Sequence, residues 1–381
     1  MAAALAVAAV MAGCGSRTAT SALSRIKVLP QKAALVRMHM ESAEKGWAMA
    51  NAGRLLYTAD GGGTWHPLVL PGGYGKAVAW AFRGAKGWLA VDRYSKIYTF
   101  ATSSEAMAWH RRGTIDVPAH YRGGGVNMGF SDARHGWLTV AAPGMQFEGA
   151  ILFKTDNGGL NWHGLASRYR DRPAHLPVGS LPGNILGFAD SSTGWAVSNM
   201  ASSANPPKEA LLVTHDGGRT WSHTYIPIPM AYRTATIEYM GLQAFDSRDI
   251  AMFVRYLLTK DQIFVVYTTT NQGESWKASR PLSVTPASGD IVYDFLSGKE
   301  GWVVDNGNAA EHTTKFIYSL RNGHWHQISP DINLADKFVT DIDFISGNEG
   351  WMVGWIHAKN SGVHGFMAES TNGGVDWTAP E

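Results

Sequence analysis

Arginine and tyrosine side chains that could bind an anionic partner recur in three parts of this 381-residue chain. They form three Tyr-Arg dipeptides, and two further arginines flank the second. The residues are Tyr121, Arg122, Arg168, Tyr169, Arg170, Arg172, Tyr232 and Arg233. A guanidinium pairs with a carboxylate or phosphate through parallel hydrogen bonds, and a tyrosine ring adds a rigid amphipathic contact. The group therefore predicts a site for an acidic protein segment or a sugar acid. The alternative is that the pairs recur by chance and are only solvated.

Two tryptophan markers recur in order and divide the chain into seven repeats of about 52 residues. The first marker is a Gly-Trp dipeptide, which the fifth repeat replaces with Asp249-Ile250. The second is a tryptophan that ends a glycine-rich turn. Short alternating or apolar runs lie between the markers, and no amphipathic helix interrupts them. Four short strands per repeat predict an all-β fold, a seven-bladed β-propeller of four-stranded antiparallel blades.

The turn before the second tryptophan, which we call the box turn, follows the pattern Ser/Thr-x-Asp/Asn-x-Gly-x-Thr/Asn/Ser-Trp. Its Asp or Asn can accept backbone N–H bonds, its glycine takes a positive φ, and its tryptophan fills the wedge between blades. Each turn offers a single carboxylate or amide, whereas a calcium site needs six to eight oxygens, so we interpret the turns as structural. The second and sixth copies, 102–109 and 321–325, depart from the pattern. The structural residues in the others are Asp60, Trp65, Asn157, Trp162, Asp216, Trp221, Asn271, Trp276, Asn372 and Trp377.

This pattern resembles the Asp box of BNR-repeat propellers, which include sialidases, sortilin-like receptors, xyloglucanases and the Ycf48/HCF136-like photosystem II assembly factors. A Gly-Trp dipeptide combined with the box in each blade is most similar to the Ycf48/HCF136-like group. The resemblance covers roughly residues 35 to 381. It implies a role in the assembly or stability of a membrane protein complex. A shared fold does not by itself specify a function.

Strand order predicts which loops share a face. If the strands of a repeat are lettered A to D, the A–B and C–D loops lie on one face and the B–C and D–A loops on the other. The A–B loops are short and the C–D loops are the box turns. The long, variable segments, among them 141–149, 199–209, 305–314 and 167–183, belong to the other set. The three Tyr-Arg pairs lie in D–A connections, which makes this second face the candidate binding surface.

The first 13 residues form an uncharged apolar run that ends before Cys14, the single cysteine of the chain. This run is shorter than the ~20 residues of a membrane-spanning helix and is typical of an export signal. Met11-Ala12-Gly13-Cys14 resembles the lipobox of bacterial lipoproteins, in which the cysteine is lipidated. We expect a lipoprotein signal peptide over 1–13, a tether and possible closing strand over 14–34, and the propeller over 35–381. No Lys or Arg precedes the apolar run, and an incidental Ala-rich start is the alternative.

Charge and composition limit the possible functions. Thirty-three basic against 31 acidic residues give a net charge of +2, too balanced for binding nucleic acid through bulk charge. A sialidase-like hydrolase needs an Arg-Ile-Pro signature, whose nearest match is Arg25-Ile26-Lys27, and a pair of carboxylates. Glu148, Glu209 and Asp171 could supply such a pair, but their spacing does not distinguish them. We predict no catalytic residue, no metal and no cofactor.

These patterns together predict an exported protein on the outer face of the cytoplasmic membrane, held there by a lipid anchor alone, or a secreted one. Its partner would be a protein, either a membrane complex or a cell-envelope component, which it would serve as an assembly, stability or scaffold factor without catalysis. A glycan-binding module and a sialidase-like glycoside hydrolase are the alternatives.

Overall fold

The computed structural model describes residues 27–29, 34–70, 75–84, 86–103, 108–143, 150–167, 186–197, 211–259, 261–284, 291–307, 315–358 and 362–380. These residues form seven antiparallel sheets, so the predicted seven-bladed all-β propeller is confirmed. Strands that follow one another within a blade pair as an antiparallel meander, because short turns join neighbouring antiparallel strands. The exceptions are the outer strand of blade 7, which comes from the start of the chain, and an extra strand in blade 5.

The strands are numbered in chain order and grouped by blade. Blade 1 contains β2 (Leu35–Met40), β3 (Gly46–Ala50), β4 (Arg54–Thr58) and β5 (His66–Pro67). Blade 2 contains β6 (Lys76–Arg83), β7 (Lys86–Arg93), β8 (Lys96–Ser103) and β9 (His110–Asp116). Blade 3 contains β10 (Val126–Phe130), β11 (Gly136–Ala141), β12 (Ala150–Thr155) and β13 (His163–Ser167). Blade 4 contains β14 (Leu186–Phe188), β15 (Gly194–Val197), β16 (Leu211–Thr214) and β17 (Ser222–His223).

Blade 5 contains β18 (Thr236–Ala244), β19 (Ile250–Leu257), β20 (Gln262–Thr269) and β21 (Lys277–Ala278), with β22 (Leu282–Val284) also paired to β20. Blade 6 contains β23 (Ile291–Ser297), β24 (Glu300–Asp305), β25 (Phe316–Arg321) and β26 (His324–Ile328). Blade 7 contains β27 (Lys337–Phe344), β28 (Gly350–Ala358), β29 (Gly362–Ser370) and, from the start of the chain, β1 (Lys27–Leu29). First strands of adjacent blades touch one another, as β23 touches β27 and β27 touches β2, so they surround the central channel.

The ring closes through the pairing of β1 with the outer edge of β29. Lys27 pairs with Met367 and Leu29 with Gly365. The other end of the same edge is covered by Thr378, which exchanges backbone hydrogen bonds of 2.8 Å with Glu369. The sequence predicts a possible closing strand within residues 14–34, and the structure confirms one at 27–29. An exposed strand edge would otherwise invite pairing with another chain.

The Gly-Trp dipeptide has a third partner at the end of strand A, which is a phenylalanine in every blade that has the dipeptide except blade 1, where Met40 takes this place. In blade 3 the ring of Phe130 covers Gly136, where an added Cβ would lie 2.5 Å from the ring. Phe130 also stacks on Trp88 of blade 2, with 3.9 Å between ring centroids. The glycine therefore makes room for a ring that is packed against the tryptophan of the preceding blade. The same stack joins Trp137 to Phe188 and Trp302 to Phe344.

A hydrogen bond connects each of these tryptophans to the box turn of the next blade. The indole Nε1 donates to a carbonyl that a positive-φ glycine presents. The pairs are Trp88 to Gly158 (3.3 Å), Trp137 to Gly217 (3.0 Å), Trp302 to Gly373 (2.9 Å) and Trp351 to Gly61 (3.0 Å). The last of these pairs crosses from blade 7 to blade 1, so the Gly-Trp marker and the box turn form one joint between neighbouring blades.

The two departures from the box pattern affect this joint differently. Blade 6 has a shortened turn, and the residue of blade 5 that would face it is the apolar Ile250, which has no donor to satisfy. Blade 2 also lacks the box, but the residue of blade 1 that faces it is still a tryptophan, Trp47. Its Nε1 is buried and has no hydrogen-bond partner among the described residues. The Nε1 of Trp195 in blade 4 also has no partner among these residues, although blade 5 keeps its box turn. A buried indole N–H without a partner loses the energy of a hydrogen bond, so the joints that follow blades 1 and 4 lack this contribution.

Candidate binding face

The structure confirms which loops share a face. C–D turns donate backbone N–H groups to A–B loops of their own blade, from Gly158 to Arg134 (2.8 Å) and from Gly217 to Ser192 (2.7 Å). On the opposite side, Val117 in a D–A connection donates to Ser95 in a B–C turn (2.7 Å). We call the first side the box face and the second the variable face.

The polar groups of the box turns are used within the turns. Asp216 accepts hydrogen bonds from the backbone of Thr220 (2.8 Å) and from the hydroxyls of Thr220 (2.6 Å) and Thr214 (2.8 Å). Partial burial alone would raise the pKa of Asp216, but these bonds outweigh it and lower the pKa to about 2. Asn157 makes the equivalent backbone bond with Asn161 (2.9 Å). These hydrogen bonds agree with a structural role for the box residues.

Two of the predicted Tyr-Arg pairs lie in turns that match from the proline to the tyrosine, whereas the arginine that follows is extended at Arg122 (ψ 132°) and helical at Arg233 (ψ −22°). Each turn begins with a proline, Pro118 (φ −56°) or Pro229 (φ −58°), followed by one turn of 3-10 helix over Ala119–Tyr121 or Met230–Tyr232. Each tyrosine N–H donates to the proline carbonyl at 2.9 Å. Proline fixes φ near the value that such a turn needs, so the sequence Pro-x-x-Tyr-Arg specifies the backbone locally.

The tyrosine of each pair anchors its turn. Tyr121 is 4% exposed and packs in the apolar core between blades 2 and 3. Tyr232 is half-buried and stacks on Tyr256, with 5.0 Å between ring centroids. The Tyr256 hydroxyl bonds the Tyr267 hydroxyl (2.6 Å), which in turn donates to the Pro227 carbonyl (3.1 Å). The connection between blades 4 and 5 is therefore held at two points, at the Pro227 carbonyl and at the Tyr232 ring.

The arginine of each pair is exposed on the variable face. Arg122 donates from Nε to the Val117 carbonyl (3.3 Å), which orients the guanidinium without neutralising it. No carboxylate in the described part of the chain lies within 4 Å of the Arg122 or Arg233 guanidinium. By contrast, Arg255 is paired with Glu238 at 2.6 Å. The two exposed arginines can therefore bind an anion without first breaking an ion pair among these residues.

The remaining predicted site residues fall outside the residues that the structure describes. These are Arg168, Tyr169, Arg170 and Arg172, the lipidation candidate Cys14, and the carboxylates Glu148, Asp171 and Glu209. Their roles stay predictions. The connection that carries Arg170 joins blades 3 and 4, between the two connections that present Arg122 and Arg233.

Two exposed apolar side chains on the variable face had not been singled out from the sequence. Tyr94 is 90% exposed and has a left-handed φ of 59° in the two-residue turn between β7 and β8. Met230 is 79% exposed and lies three residues before Arg233. The signal in the sequence was a bulky aromatic where a tight hairpin turn usually carries Asn, Asp or Gly. Exposed apolar groups beside unpaired arginines are typical of binding surfaces.

Three carboxylates in the first strands of blades 6 and 7 form a polar cluster in the channel. Asp294 accepts a hydrogen bond from the Phe344 backbone (2.7 Å), Asp341 from Met38 (2.7 Å) and Asp343 from Met40. Each carboxylate therefore joins its blade to the next. Burial raises the pKa of Asp294 to about 6 and that of Asp341 to about 7, although these N–H donors oppose the shift. Burial and then the Asp294 charge raise the pKa of Asp343 well above its usual range.

Replacing Asp341 with Asn is expected to stabilise the protein at pH 8 by about 1–3 kcal/mol. The pKa of Asp341 is higher in the folded state than its unfolded value of 3.8. The free energy of unfolding of the wild type therefore falls as the pH rises from about 4 toward 7, because the folded state must ionise a buried carboxyl. The Asn carbonyl still accepts the Met38 bond and never ionises. Urea unfolding at pH 5 and pH 8 measures the difference, and the exposed Asp261→Asn change is the control. A stability gap between Asp341→Asn and wild type that does not change between the two pH values would contradict this assignment.

Neither a metal site nor a membrane-spanning helix is found within the described ranges. No group of three or more His, Cys, Asp or Glu side chains there is placed to hold a metal ion. No helix there is long and apolar enough to cross a membrane.

No protein-family model and no curated protein matches the sequence. Solved structures do resemble it. A structure of YCF48 bound to a D1 peptide superposes with a TM-score of 0.52, at 17% identity over 90% of this chain and 95% of that one. YCF48 from Cyanidioschyzon merolae gives a TM-score of 0.52 at 15% identity, over 90% of this chain and 98% of that one.

A GH74 xyloglucanase from Xanthomonas campestris gives a TM-score of 0.56 at 13% identity, over 93% of this chain and 55% of that one. Identities this low show a shared fold and no more. Both a peptide-binding propeller and a glycoside hydrolase are thus among the proteins that share this architecture.

Proposed function

We propose that this protein is an exported, lipid-anchored propeller that binds a macromolecular partner through its variable face and performs no chemistry. One observation carries the proposal: the same Pro-x-x-Tyr-Arg turn presents an exposed arginine on two connections, Arg122 between blades 2 and 3 and Arg233 between blades 4 and 5. Repetition of a turn with a packed tyrosine anchor and a charged tip supports recognition, because a turn held by packing loses little entropy when its tip is bound.

The chemistry of this surface favours a partner with clustered carboxylates. Unpaired guanidiniums bind carboxylates bidentately, and the exposed Tyr94 and Met230 offer apolar contacts beside them. An acidic segment of a protein in a membrane complex or the cell envelope can supply both carboxylates for the arginines and apolar side chains for Tyr94 and Met230. The likeness of fold to YCF48, which was solved with a bound peptide, is consistent with this proposal.

The direction of β1 is compatible with a lipid anchor at Cys14. Lys27 lies at the box face, where its ammonium donates to the Gly63 carbonyl, and Leu29 lies further toward the variable face beside Gly365. β1 therefore begins at the box face. In this proposal the anchor at Cys14 holds the membrane on the side where β1 begins, and the variable face is available for the partner.

The test is crosslinking capture from membranes of the native host, with the exported protein and its Arg122→Ala/Arg170→Ala/Arg233→Ala variant. We expect the variant to recover a defined protein partner at least tenfold less, and the wild type to lose it progressively as salt is raised. The matched control replaces three exposed arginines of the box face, Arg134, Arg219 and Arg248, with Ala. Equal recovery by both triple variants would place the binding surface elsewhere.

A glycan-binding or glycoside hydrolase function is the second candidate, because raised carboxyl pKa values are typical of general acids in glycosidases. Asp294 and Asp341 have this property. Both already accept a backbone N–H from the next blade, however, which accounts for their presence without catalysis. Glycan arrays and fluorogenic glycosides distinguish the candidates: turnover that disappears in Asp341→Asn would establish an enzyme, and binding without turnover a lectin.

A further inference from the structure

A cavity of about 420 Å³ lies at the junction of blades 6 and 7, away from the arginine turns. One wall is the start of β25, with Lys315 and Phe316. The other is the connection 329–336, which leads from β26 to β27. This volume lies within the range of sites that hold small organic ligands, roughly 300–1,000 Å³.

The base of the cavity is apolar and fixed by the core. Ile332 and Leu334 are each 5% exposed, and they pack with Ile328 in the cluster that contains Trp302 and Phe344. Because these side chains are held by the interblade core, the cavity exists before any ligand binds. A preformed apolar wall favours an apolar group of matching size.

A single cation, Lys315, stands at the edge of the cavity. Asp336, whose charge acts on Lys315, is already engaged by Lys337. The Lys337 Nζ lies 2.7 Å from the Asp336 Oδ1 and also donates to the Asn333 carbonyl (2.6 Å). Within the described ranges no carboxylate oxygen lies within 4 Å of the Lys315 Nζ. Partial burial lowers the pKa of Lys315, although the Asp336 charge opposes this shift.

One aromatic ring lies within reach of this ammonium. Its Nζ lies 5.9 Å from the centroid of Phe338, and Phe338 stacks on Trp355 at 4.8 Å. A ring face attracts a cation but leaves its other side open for an anion. Gln327 and Asn333 also line the cavity and carry neutral amides, although the Asn333 Oδ1 already accepts the Ala335 N–H (2.9 Å).

We propose that this cavity binds an organic carboxylate with an apolar group, with the carboxylate at Lys315 and the apolar group over Ile332 and Leu334. One ammonium with neutral amides suits a monoanion; a phosphate dianion usually finds several cations or backbone N–H groups. The site uses none of the arginines of the proposed function, so the two proposals succeed or fail separately.

Ligand-observed NMR and calorimetry with 4-phenylbutyrate test this site. We expect saturable binding to the wild type with a Kd of roughly 1 mM or tighter, and at least tenfold weaker binding to Lys315→Met, which keeps the length of the side chain but removes its charge. The neutral 4-phenylbutyramide should bind at least tenfold more weakly than the acid, and acetate should not bind measurably. The control is Lys299→Met, an exposed lysine on the box face of the same blade.

A second variant separates occupation of the cavity from charge. Ala335 lines the cavity and is exposed, so Ala335→Phe is expected to fill the space without disturbing the core. It should reduce phenylbutyrate binding while leaving the thermal unfolding midpoint close to that of the wild type. Equal binding of acid and amide, or undiminished binding to both Lys315→Met and Ala335→Phe, would overturn the proposal.

Discussion

A chain that begins at residue 30, and so lacks β1, is expected to be less stable than the full chain by about 3–5 kcal/mol. The deletion removes Leu29, which is 6% exposed and packs with Leu35, Met38 and Met367 across the seam between blades 7 and 1. It also leaves the backbone edge of β29 unpaired from Gly365 to Met367. Unpaired edges associate with other chains, so we expect self-association as well.

Urea unfolding and size-exclusion chromatography with light scattering measure the two effects. The matched control begins at residue 27, which removes the preceding residues but keeps β1. Leu29→Ala is the milder test of the same contact and should cost about 2–3 kcal/mol without creating an open edge. If the chains that begin at residues 27 and 30 have equal stability, β1 does not close the ring.

The fold could be predicted because the information that specifies it is repeated. The Gly-Trp dipeptide occurs in six repeats and the complete box turn in five, so the pattern remains recognisable although Asp249-Ile250 replaces one dipeptide. The closing strand was also recognisable, since the final strand after Trp377 is short and a complete blade needs another partner. The repeats did not reveal that a phenylalanine of strand A covers the glycine of most Gly-Trp dipeptides, although Phe130, Phe188 and Phe344 each stand six residues before that glycine.

The candidate site was less predictable, because a dipeptide does not show which of its side chains enters the core. Tyr121 and Arg122 were predicted as equal contributors to binding, yet the proline turn places the tyrosine in the core and the arginine in solvent. The channel carboxylates were missed for a related reason. A strand that borders a narrow polar channel alternates like any half-buried strand, and only the assembled ring shows that Asp341 accepts a bond from another blade.

Replacing Trp137 with Phe is expected to destabilise the protein by about 2–3 kcal/mol. Trp137 is 1% exposed, stacks on Phe188 at 3.5 Å and donates to the Gly217 carbonyl at 3.0 Å. Phenylalanine keeps part of the stack, leaves a cavity and removes the donor. Replacement with Ala, which removes the whole stack, should cost about 3–5 kcal/mol.

Trp47 provides the matched control, because it is 2% exposed at the same position of blade 1 but its Nε1 has no partner among the described residues. Trp47→Phe removes a similar volume without breaking a hydrogen bond there, so it should cost about 1–2 kcal/mol less than Trp137→Phe. Urea unfolding followed by far-UV circular dichroism gives both values without depending on the fluorescence of the replaced indole. Equal losses in the two variants would mean that stacking and volume hold neighbouring blades together, and that the indole bond to the box turn contributes nothing measurable.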